Sequence, residues 1–197
     1  SEDPTGENVH SWVRFTAVTI PQGAVITSAF LSGYIWQNDP TSGVTTLIYG
    51  NAADNATAPT TGALFDALTL TTASVAWAAN FHLLPANTLI TSPDIRTVIQ
   101  EIINRPGWVS GNALQLVWRN NGSPAGALVM PWAWDGNVAL SCSLAITVAA
   151  SPAFFVATTN VPTSELTAVT LQSSTAEASS RAVPYQYMYY DLGAVPS

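Results

Sequence analysis

Residues Ser92 to Trp118, SPDIRTVIQEIINRPGWVSGNALQLVW, contain the one stretch of helical periodicity in a sequence otherwise patterned for strands. Ile95, Val98, Ile99, Ile102 and Ile103 recur at the i, i+3, i+4, i+7, i+8 spacing that puts apolar side chains on a single helix face. Ser92 is placed to cap the first turn, Pro93 suits the first helical position, and Asp94 complements the positive end of the helix dipole. Asn104-Arg105-Pro106-Gly107 ends the helix, because proline cannot continue it and glycine permits the reversal. The spacing therefore predicts a helix over about 93–104. Beyond it, Ser110-Gly111-Asn112 turns the chain into a strand from Ala113 to Trp118. One short amphipathic helix among strands is expected to cover an end or a face of a β-sandwich.

Outward from there, alternation and turn residues set the remaining elements. Trp12 to Ile20 reads as a strand, closed by the Pro21-Gln22-Gly23 turn. Val25 to Trp36 is at least partly apolar on both faces, as expected for a central strand. Val44 to Gly50 is a further strand, and Asn51 to Gly62 is a loop by composition. Ala63 to Thr72 and Ala73 to Leu84 supply more strand-like material. Asn121-Gly122 is a tight-turn signal between two apolar runs, so Ala113–Arg119 and Ala127–Trp134 are predicted to pair as a hairpin. Asp135-Gly136-Asn137 then leads into Val138–Val148. That last run is the membrane candidate, since Val138 to Ala157 carries no charge. Its period of two and Pro152 assign it to a half-buried strand, so no membrane span is expected.

Three blocks carry a family likeness: Val13 to Ala24, Ile26 to Ala29, and Ile99 to Leu114. Over roughly residues 12–149 they resemble the secreted β-sandwich modules called DNRLRE-type domains, relatives of a class of carbohydrate-binding modules. Similar modules occur in virion structural proteins of tailed phages. The resemblance implies a jelly-roll-like antiparallel β-sandwich without intrinsic catalysis. It also implies strand sequence ahead of Val13, so the missing edge is expected from another segment or chain. The domain reading is a mobile N-terminal segment at 1–11, the sandwich at 12–149, and a C-terminal arm or added strands at 150–197. The chain begins at Ser1, which is read as a processed or partial polypeptide.

Composition bounds the function. With 48% hydrophobic and 9% charged residues over 197 positions, the chain can bury a sizeable core. All five basic residues are arginines (Arg14, Arg96, Arg105, Arg119, Arg181), and a net charge of −7 without a basic patch argues against a nucleic-acid partner. Cys142 is the lone cysteine, so no internal disulfide exists, and an inert core thiol is expected. No nucleophile elbow, phosphate loop, C-x-x-C or H-E-x-x-H pattern is present, and no cofactor, metal or catalytic residue is assigned. His10 and His82 read as structural histidines. Glu101 is expected on the solvent side of the helix, free to pair with Arg105 four residues on. Asp54 and Asn55 offer hard oxygen ligands, but one carboxylate falls short of a calcium site. Asn55-Ala56-Thr57 and Asn121-Gly122-Ser123 match the glycosylation sequon and are read as turn residues.

Two features remain that could carry binding. The first is the tryptophans: Trp132 and Trp134 fall on one face of a predicted strand, with Trp118 across the Asn121-Gly122 turn. Such a row could stack on sugar rings, with Asp135 and Asn137 adding polar contacts. The competing reading is that alternate aromatics fill the core, as Trp118 does if it shares a buried face with Leu114 and Leu116. The second is the arm, which ends in Tyr185, Tyr187, Met188, Tyr189 and Tyr190. Left in water, that much apolar surface is a liability. It is expected to pack on a neighbouring subunit or add a strand to its sheet edge, with folding back onto its own sandwich as the alternative. The sequence thus points to a non-enzymatic structural subunit of a virion or other extracellular assembly. Its expected partners are copies of itself, neighbouring structural proteins and, on the alternative reading, surface glycans.

Overall fold

The computed structural model describes residues 11–38, 43–79, 83–124, 127–149 and 179–185. It is an all-β antiparallel sandwich with two helices, of which one exceeds a single short turn. The elements are β1 (Ser11–Thr16), β2 (Ile26–Asn38), β3 (Val44–Asn51), α1 (Gly62–Asp66), β4 (Leu70–Ala79), β5 (Leu89–Thr91), α2 (Arg96–Ile103), β6 (Leu114–Asn120), β7 (Val129–Pro131), β8 (Ser143–Val148) and β9 (Ser179–Tyr185).

Two layers face one core. The first is β4-β3-β6-β1, and the second is β8-β2-β5 with β7 on the far part of β2. Strand alternation delivers the packing: Val13 and Phe15 of β1, Ile48 of β3, and Leu114, Leu116 and Trp118 of β6 point inward from the first layer. Ala29, Leu31 and Ile35 of β2, Ile90 of β5, and Leu144 and Ile146 of β8 meet them from the second. Cys142 is buried in the same cluster, so its thiol acts as a small core side chain. Trp77 and Trp118 stack within it at 6.1 Å between ring centroids.

Helix α2 lies against β2, β3 and β4 and inserts Val98, Ile99, Ile102 and Ile103 into that core, with Ile95 at its N-cap buried beside them. The apolar stripe read from the sequence is therefore its packed face. Its start is later than expected, at Arg96, and Ser92 does not cap it. Residues 92–100 line the β2 edge instead. Ser92 N–H donates to Leu31 O, and Leu31 N–H to Ser92 Oγ. Ile95 N–H donates to Ala29 O, and Ala29 N–H to Asp94 Oδ1. Arg96 Nη1 donates to Thr27 O, and Ile26 N–H to Gln100 Oε1. Side chains thus replace a strand where β5 ends, leaving this stretch of edge with its polar groups satisfied.

Five expectations are corrected by the structure. Strands β6 and β7 do not form a hairpin: β6 pairs with β1 and β3, whereas β7 pairs with β2. Gly122 does turn the chain, at φ +80, but Asn121 N–H and Ser123 Oγ bond Thr45 O of β3, so the turn serves a crossover between layers. Within 63–72, predicted as strand, Gly62–Asp66 is helical, with Thr61 Oγ1 accepting from Leu64 N–H as its N-cap. The strand predicted over 138–148 begins only at Ser143, and Ser11, grouped with the N-terminal segment, opens β1. Glu101 does not pair with Arg105. Its carboxylate accepts from Thr72 N–H and Ala73 N–H at 2.8 and 2.7 Å, tying α2 to the start of β4, while Arg105 pairs with Asp54.

Strand β9 belongs to the region read as the C-terminal arm, and it changes partner along its length. Ser179–Ala182 pairs with Thr147–Leu144 of β8, and Val183–Tyr185 pairs with Thr16–Arg14 of β1. It therefore closes the seam between the two layers of its own sandwich and supplies the strand beside β1, so for Ser179–Tyr185 the structure shows the fold-back alternative rather than the expected packing on a neighbouring subunit. Pro184 sits opposite Phe15, past the end of the β8 pairing, where a missing amide donor is tolerated.

Candidate functional site

The outer face of the second layer holds the most exposed aromatic surface among the described residues. Alternation along β2 turns Ala29, Leu31, Gly33 and Ile35 inward and Phe30, Ser32, Tyr34 and Trp36 outward. The sequence reading of β2 as at least partly apolar on both faces was right in composition, but the outer face meets solvent. Leu89 of β5 lies opposite Tyr34 in register and is itself exposed. Trp36 is 46% exposed, and Trp132 leans on it with 5.9 Å between ring centroids and planes tilted by 53°.

Trp132 is held from three sides. Its backbone N–H donates to Tyr34 O at 2.9 Å. Its indole Nε1 donates to Asn87 Oδ1 at 2.8 Å. Gly136 lies against its ring, so close that an added Cβ would sit 3.4 Å from Cε3. Asn87 occupies the left-handed region at φ +63, a conformation asparagine tolerates better than most residues. The indole is thus oriented rather than merely packed.

The other proposed glycan contacts do not form a row with it. Strand β7 ends at Pro131, so the spacing of Trp132 and Trp134 no longer places them on one strand face. Trp134 is half-buried in the turn that follows. Asn137 Oδ1 accepts from Ala139 N–H in the next turn, and Asp135 is exposed beside Trp134. Trp118 belongs to the core. Trp36 and Asn87 were missed from the sequence, although the Phe30-Ser32-Tyr34-Trp36 alternation was there to find. Of the aromatic arm, only Tyr185 is reached, as backbone in β9; Tyr187, Met188, Tyr189 and Tyr190 lie outside the described residues, as do His10 and His82.

The opposite face, on the first layer, is covered by the 51–70 segment. Trp12, Val117 and Phe65 form a small buried cluster there, and the Arg119 guanidinium lies 4.6 Å over the Phe65 ring. Burial pushes Arg119 below its ordinary value, with Asp66 and then Tyr49 opposing. Asp54 and Asn55, the calcium candidates, act as staples: Asp54 Oδ1 accepts from Arg105 Nε at 2.6 Å, and Asn55 Oδ1 accepts from Ala113 N–H. Among the described residues, no group of three or more His, Cys, Asp and Glu side chains is arranged to hold a metal ion. No helix among them is long and apolar enough to cross a membrane.

Comparison of the chain with protein-family models, with curated proteins and with solved structures found no match.

Proposed function

We propose that this chain is a non-enzymatic structural subunit of a virion, as a capsid decoration or tail-type protein, or of another extracellular assembly. It associates with copies of itself and neighbouring structural proteins through sheet edges and its C-terminal arm. The observation that carries this reading is the seam: the edges of β1 and β8 are completed by Ser179–Tyr185, a strand from far along the chain. Edges built to accept an added strand are the usual route to strand-mediated association. The likeness of residues 12–149 to DNRLRE-type modules, some of them in phage virions, supports the same setting. Removing residues 151–197 is expected to abolish assembly and to leave a folded domain, since the described core residues lie between Trp12 and Ile146. A truncated chain that assembles normally counts heavily against this function.

A second reading, a carbohydrate-binding module, is favoured by one observation, the oriented Trp132 indole beside the half-exposed Trp36. Aromatic faces of this kind stack on sugar rings. The contacts would then centre on Trp36 and Trp132 more than on Trp134, Asp135 and Asn137. Glycan-array binding that disappears in Trp36→Ala, with the far-UV spectrum unchanged, favours this module. An array without any bound glycan removes it.

A further inference from the structure

We propose that β9 is an exchangeable strand, and that in the assembled state the β1–β8 seam of one copy receives residues 179–185 of a second copy of this chain. The inference rests on the assembly reading and names the contact through which assembly proceeds.

The register makes the exchange possible. Thr147 lies directly opposite Ser179, so the chain leaves β8 and re-enters β9 at neighbouring positions. A hairpin loop of about two to five residues closes such a pair. Here residues 148–178 intervene, rich in Ser, Thr, Ala and Pro. At about 3.3–3.6 Å per residue, that length can span on the order of 100 Å, several times more than the step requires. A chain length of that order is enough for β9 to meet the seam of its own copy or that of a neighbour.

The contacts are the same either way, because an exchanged strand makes in the neighbour the ladder it makes at home. The described edges of this fold also differ in how they are filled. Ser92, Asp94 and Gln100 satisfy the β2 edge, and Glu101 satisfies the first amides of β4, all from residues within the 12–149 sandwich. The β1–β8 seam is filled from outside it. There β9 is held by a short ladder to each partner, Ser179–Ala182 on β8 and Val183–Tyr185 on β1. Short ladders open at low free energy, so β9 is placed to leave and rejoin while the core stays closed.

The test uses the full chain with Cys142→Ala, so that only introduced thiols react. One preparation carries Thr147→Cys and a second, differently tagged, carries Ser179→Cys. The two are mixed, unfolded, refolded together and mildly oxidised. Exchange is expected to yield a disulfide-linked heterodimer as a major product. The pair Thr16→Cys with Val183→Cys should do the same at the other end of β9. The mismatched pair Thr147→Cys with Val183→Cys should stay at background. The proposal is overturned if both matched mixtures stay at that background while Thr147→Cys/Ser179→Cys in one chain links within the chain. It is equally overturned if neither arrangement links, since β9 then does not occupy the seam. The native mass of the unmodified protein separates the two failures. An oligomer without cross-links keeps the assembly reading and moves the contact elsewhere, whereas a monomer removes both.

Discussion

At Gly50, β3 packs directly under Ile102 of α2, leaving no room for a side chain. A Cβ added at Gly50 would lie 2.5 Å from Cδ1 of Ile102, and 3.1 Å from both Ile102 Cγ1 and Thr71 Cγ2. Ile102 is fully buried, and Thr71 is fixed by Gly50 N–H donating to its Oγ1 and by its own bond to Ala73 O, so neither neighbour can yield freely. Overpacking of this kind costs about 1–3 kcal/mol, and the Gly→Ala gain from the unfolded chain returns about 0.4–1 kcal/mol. Gly50→Ala is therefore expected to destabilise by about 1–2 kcal/mol. Ile102→Val removes the offending Cδ1 and alone costs about 0.5–1.5 kcal/mol for the lost methyl. In the double variant the alanine Cβ occupies the space of that methyl. The double variant should then be more stable than the sum of the single effects by about 1 kcal/mol, a coupling that only contacting residues show. Urea unfolding followed by tryptophan fluorescence, with m-values compared across the four proteins, measures it. Strict additivity would mean that α2 does not rest on Gly50, and the helix-on-sandwich packing would be wrong.

Glu101→Ala removes two carboxylate–amide bonds to β4, one of them partly buried, and is expected to cost about 2 kcal/mol, with faster hydrogen exchange at Thr72 and Ala73. Asp54→Asn loses only a half-exposed ion pair with Arg105, so thermal unfolding should report a cost of no more than about 1 kcal/mol. Asn87→Gly keeps both indoles and the left-handed backbone but deletes the acceptor of the Trp132 indole N–H. The expected result is a changed near-ultraviolet circular dichroism signal from the Trp36–Trp132 pair with little loss of stability, whereas an unchanged signal would mean that this bond does not orient the indole.

Much of the fold could be read from local pattern. The isoleucine stripe of α2 and the inward alternation of β2 and β8 follow directly from the periods of helix and strand. What failed was pairing. Asn121-Gly122 is a turn by its own chemistry, yet nothing local states which strand the chain will meet afterwards, and it meets β2 rather than β6. Ser92 and Asp94 carry cap-forming side chains, and a free β2 edge competed for them successfully. Glu101 lies off the stripe, as read, but the amides that occupy it come from β4, nearly thirty residues upstream. The aromatic site was half legible for the same reason. Trp132 stood out as one of a pair, while its actual neighbours Trp36 and Asn87 are brought in by β2 and by the turn before β5.

Association through sheet edges is the claim on which the functional reading turns, and the native mass of the full chain tests it most directly. Sedimentation velocity over a wide concentration range should give a closed multiple of the 20.7 kDa protomer, persisting on dilution and lost when residues 151–197 are removed. A single species at the protomer mass at every concentration would contradict it.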